Sequence, residues 1–88
     1  GVVIHPVAVL GPNCLVFQQV TIGTRGPDGA PQIGGHVDIG AGAKILGPVR
    51  IGDHAVIGAN AVVLCDVPDH CVAVGIPARV SPRTRQED

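Results

Sequence analysis

The sequence predicts an all-β protein wound as a coil of very short strands, and three observations carry that prediction. Aliphatic residues recur at every sixth position, as Ile4, Leu10, Val16 and Ile22 and again as Ile33, Ile39, Ile45, Ile51, Ile57 and Val63. Thirteen Gly and eight Pro among 88 residues oppose long helices, because each is costly inside one. A single aromatic, Phe17, cannot anchor a compact core, so burial has to come from small aliphatic side chains in a regular array. A period of six matches neither the 3.6 of a helix nor hairpins with turns at irregular intervals. Each unit of six is therefore expected to form one flat side of a coil, with its aliphatic residue pointing inward.

The units follow in order along nearly the whole chain. Four residues after every aliphatic slot except Ile22, whose repeat is interrupted, stands a small or β-branched residue: Ala8, Cys14 and Val20, then Val37, Ala43, Val49, Ala55, Ala61 and Val67. Gly directly follows six of the slots, at Gly11, Gly23, Gly34, Gly40, Gly52 and Gly58, where the backbone has to bend tightly. Between Ile22 and Ile33 the spacing widens to eleven, and the turn-rich stretch 24–32 is expected to leave one corner as a protruding loop. After Val63 the repeat decays into Cys65-Asp66-Val67-Pro68-Asp69-His70. One domain is expected over residues 1–80, followed by a polar tail over 81–88.

Charge and composition exclude several classes of partner. A formal charge of -1 without an internal basic cluster gives no footprint for nucleic acid or for an acidic membrane surface. No apolar stretch approaches the length of a membrane span. Cys14, Cys65 and Cys71 are odd in number and lack CxxC spacing, which fits reduced thiols in a cytoplasmic protein better than a disulfide framework or a zinc site.

Six-residue sides taken three to a turn make residues eighteen apart neighbours. Gly40-Ala41-Gly42-Ala43 then lies beneath Gly58-Ala59-Asn60-Ala61. Two such stretches offer either a backbone-lined groove for a thin, extended ligand or simply tight turns. The same register stacks His36 under His54, with Asn13 in the column. Two imidazoles without a third ligand, and without a His-x4-His pair, give no metal site, so no metal is expected. His5, followed by Pro6, reads as a turn residue or as a general base; His36 is the other weak candidate for a base. His70 is expected in a solvated loop.

Two stretches narrow the reading to a family. Ile39-Gly40-Ala41-Gly42-Ala43-Lys44-Ile45-Leu46-Gly47 and the closing Val74-Gly75-Ile76-Pro77-Ala78-Arg79 resemble serine acetyltransferases and their sugar O-acetyltransferase relatives among hexapeptide-repeat proteins; Val20-Thr21-Ile22-Gly23 fits as well. The resemblance implies a left-handed parallel β-helix of about three coils, assembled as a parallel homotrimer with the loop arching over a neighbouring subunit. It implies acetyl-CoA as co-substrate and a small hydroxyl-bearing acceptor, serine ahead of a sugar. The cofactor cleft would lie between subunits, with backbone contacts at Gly23, Thr24, Ala41 and Ala59 and with Arg79 near the phosphates. In the family the catalytic histidine precedes the stretch that matches Gly1-Val2-Val3-Ile4, so this chain is expected to lack it. The loop also departs from the family pattern, carrying Gly29-Ala30 where an Arg-His pair precedes the proline. Three readings stay open: the CoA-binding portion of an O-acetyltransferase, a non-catalytic trimeric module that binds CoA or a protein partner, and a minimal enzyme using His5 or His36.

Overall fold

The computed structural model describes residues 1–83; residues 84–88 of the expected tail lie outside the described residues. Twelve short strands follow one another: β1 (Val3–Ile4), β2 (Val9–Leu10), β3 (Leu15–Val16), β4 (Thr21–Gly23), β5 (Gln32–Ile33), β6 (Asp38–Ile39), β7 (Lys44–Leu46), β8 (Arg50–Ile51), β9 (Val56–Ile57), β10 (Val62–Val63), β11 (Cys71–Val74) and β12 (Arg79–Pro82). Through β10, every third strand stacks on the one before. Sheet A has the order β1-β4-β7-β10, sheet B β2-β5-β8 and sheet C β3-β6-β9-β11-β12. All pairings are parallel except the closing β11–β12 pair. Three sheets visited in rotation make a three-sided column.

The strands are short because the chain turns a corner every six residues. Asn13, Gln19, His36, His54, Asn60 and His70 all carry φ between 56° and 61° at these corners. That left-handed conformation is costly for most side chains, and Asn and His are among the residues that adopt it most readily. The inward slots fill the column: Ile22, Ile39, Ile45, Ile57 and Val63 are fully buried, with Val20, Val37, Ala43, Ala55 and Ala61 between them. Register follows the eighteen-residue spacing where the repeat is regular, as in Asp38↔Val56 and Ile39↔Ile57.

Two features depart from simple counting. The excursion after β4 contains a 3₁₀ turn, Gly26–Asp28, and re-enters the column through the buried Pro31, so that Leu10 pairs with Ile33. The repeat also does not stop after Val63. Val67 forms a parallel bridge to Ile51 and is buried, and Ala73 pairs with Ile57 and is buried, so β10, Val67 and β11 complete a fourth circuit. This last circuit is two residues shorter than the regular eighteen, since its partners lie sixteen apart.

Candidate functional site

The outer face of sheet A presents one residue from each strand, Val3, Thr21, Lys44 and Val62, in register. Its two long edges carry the five residues expected at the cofactor. On the edge toward sheet C, Ala41 and Ala59 are stacked corners: the Asn60 N–H donates to the Ala41 carbonyl at 2.9 Å, and the Gly42 N–H donates to the Gln18 carbonyl at 3.0 Å. Ala59 is exposed and Ala41 half-buried, and neither extends more than a methyl group from the backbone. Gly40 and Gly58, beneath these corners, have no room for a Cβ, because the next coil lies directly against them. At the top of the same edge, exposed Arg79 pairs with Val74, whose side chain packs over Gly58.

On the edge toward sheet B, Gly23 accepts a hydrogen bond from Gly47 N–H at 3.0 Å, and Thr24 is exposed beside it at the root of the loop. His5 stands one coil below Gly23 in this column, its N–H donating to the Ile22 carbonyl at 2.7 Å. The two candidate bases are thereby separated: His5 borders sheet A, whereas His36 occupies the corner between sheets B and C. The His5 ring lies against the turn that follows it. Its Nδ1 accepts the Val7 N–H at 3.2 Å.

The histidine corner holds more than counting suggests. His36 and His54 stack with ring centroids 4.8 Å apart and planes within 1°, and His54 and His70 stack at 4.9 Å and 6°. His70, expected as a solvated loop residue, is thus the third ring of a ladder. Sequence reasoning missed it because the shortened fourth circuit places it sixteen residues after His54. Rings that lie parallel direct their in-plane lone pairs side by side, not toward a common point, and among the described residues no group of three His, Cys, Asp or Glu is arranged around one ion.

A shallow depression of about 530 Å³ lies on a different face, sheet B, over Ile33, Ile51 and Val67. It includes none of the seven candidate residues. Its polar rim is partly engaged already, since Asp66 Oδ1 accepts the Arg50 N–H at 2.9 Å. An extended ligand reading backbone edges is better matched by sheet A, where the bordering corners carry so little side chain.

Comparison with known proteins places this geometry. Residues 30–65 match the family model for the bacterial transferase hexapeptide (six repeats). A serine acetyltransferase of Synechococcus elongatus is 47% identical over 87 residues, covering 96% of this chain and 36% of that protein. Among solved structures, a serine acetyltransferase in complex with cysteine matches with a TM-score of 0.89 and 43% identity, over 92% of this chain and 35% of the other. A serine acetyltransferase in complex with CoA matches with a TM-score of 0.85 and 44% identity, over 92% and 34%. The chain thus spans about a third of the length of the proteins it matches. The fold is a left-handed parallel β-helix. With its period, its three sheets and these likenesses in agreement, the chain carries the bacterial transferase hexapeptide repeat over residues 30–65 and is similar to a part of the serine acetyltransferases.

Proposed function

We propose that the chain is the acetyl-CoA-binding portion of an O-acetyltransferase that uses serine as acceptor and works as a cytoplasmic parallel homotrimer. The observation that carries this reading is the likeness, across 92% of the chain, to a serine acetyltransferase in complex with CoA. The two edges of sheet A support it. A pantetheine arm is thin and amide-bearing, and corners with no side chain beyond a methyl at Ala41 and Ala59 let such an arm lie against the backbone. Gly23 and Thr24 border the other edge, and Arg79 offers a fork of donors to phosphate. A homotrimer would set the sheet A edge of one subunit against a neighbour and close the groove into a cleft. Three free thiols, Cys14, Cys65 and Cys71, suit a reducing compartment.

When bound, acetyl-CoA supplies an acyl group activated for attack by a hydroxyl. The chain's own residues bind and orient it. We infer that neither His5, whose Nδ1 accepts the Val7 N–H, nor His36, stacked on His54 at the corner between sheets B and C, serves as the general base. The same observation favours a second reading, a module that binds CoA without catalysing transfer.

Calorimetric titration with CoA tests the assignment. The wild-type chain should bind, and Ala59→Glu should weaken binding about tenfold or more by setting a carboxylate against the phosphates or the arm. Gln32→Glu, on sheet B, should bind as wild type. Absence of binding, or an equal loss from both substitutions, would overturn the placement on sheet A. A thiol-release assay with serine, or with a sugar in its place, should show no turnover by the chain alone; turnover would return the base to His5 or His36.

A further inference from the structure

The histidine ladder plays no part in the proposed chemistry. Three consecutive circuits each place an imidazole at the same corner, all in the left-handed conformation, with ring centroids 4.8 and 4.9 Å apart. The corner is also where the C-terminal hairpin is fastened. Arg83, directly after β12, donates its backbone N–H to the His70 carbonyl at 2.9 Å and its Nη1 to the His54 carbonyl at 2.9 Å. The ladder's own backbone is linked in the same direction: His54 N–H donates to Gly35, and His70 N–H donates to Asp53.

We propose that the His36–His54–His70 stack is a proton-sensitive clasp that holds the C-terminal hairpin β11–β12 to the column and loosens when the rings become charged. Neutral imidazoles stack face to face with little repulsion. Protons on neighbouring rings place like charges across a gap of under 5 Å, and His54 meets this on both faces. The surrounding charges offset this only in part. Asp53 and Asp69 stand in the adjacent corner column, but each already accepts a backbone N–H, from Gly35 at 2.9 Å and from Asp53 at 2.8 Å. Asp38 lies on the outer face of sheet C two residues beyond His36. The Arg83 guanidinium donates to the His54 carbonyl, and Asn13, below His36, is neutral. A ring that swings out to escape its neighbour gives up the stack that joins His70, at the root of the hairpin, to His54. The sign follows: the clasp is intact while the rings are neutral and is lost as falling pH protonates them.

The test compares thermal midpoints at pH 8 and pH 5.5, at one protein concentration, for the full chain and for His54→Asn. Asparagine suits the left-handed corner, as Asn13 already does, and carries no charge. The wild-type midpoint should fall by roughly 5 °C more than that of His54→Asn over this range. His5→Asn, removing a histidine outside the stack, should keep the full wild-type drop. Should His54→Asn fail to fold, the wild type alone suffices: in 1 M salt its drop between the two pH values should shrink, because charges about 5 Å apart are then screened. Equal drops for the wild type and His54→Asn, or a wild-type drop indifferent to salt, would overturn the clasp.

Discussion

Gly40 lies so close beneath Ala59 that a Cβ added to it would stand 2.6 Å from the Ala59 backbone nitrogen. The contact is backbone to backbone, so no flexible side chain can move aside. Gly40→Ala should therefore cost about 2 kcal/mol, in the range of overpacked interiors, by forcing two stacked corners apart. Urea denaturation measures it. A midpoint unchanged from wild type would show that the coils separate freely at this corner.

The same inward slot has a different weight along the column. Ile51 is 2% exposed between Ile33 and Val67, whereas Ile4, at the N-terminal end of the described column, is 42% exposed. Ile51→Asp buries a carboxylate with no partner and should leave the chain without its strand signal in circular dichroism. Ile4→Asp leaves its carboxylate in reach of water and should cost about 1 kcal/mol, the average for a point substitution. A folded Ile51→Asp would refute the inward assignment.

Asp69 reaches back one circuit, its Oδ1 accepting the Asp53 N–H at 2.8 Å, and Asp53 repeats the contact to Gly35 at 2.9 Å. These bonds join successive coils outside the strand ladders. Asp69→Ala should destabilise the chain by about 1 kcal/mol, the usual net value of one such bond, and Asp69→Asn, which keeps an oxygen acceptor, by less. Chemical denaturation of the two variants side by side distinguishes the lost bond from lost charge.

Much of the column was legible before the structure. The run of aliphatic residues at every sixth position names the buried slots, and Ile22, Ile39, Ile45 and Ile57 are buried as expected. The eighteen-residue register stacks Gly40 on Gly58 and His36 under His54. Counting lost its hold where a circuit changes length. The two-residue shortening after Val63 hid both the burial of Val67 and Ala73 and the place of His70 in the ladder. The ring orientation of His5, settled by its contact with the Val7 N–H, leaves no trace in residue spacing.

The sequence by itself determined the winding, because a side chain that must leave water every six residues permits only a coil of that pitch. Tertiary structure alone decided which corners share a face, setting Gly23 and Thr24 across sheet A from Ala41, Ala59 and Arg79, and how far each slot is covered. Those depend on the coils above and below and on the exact length of each circuit, which local pattern does not encode.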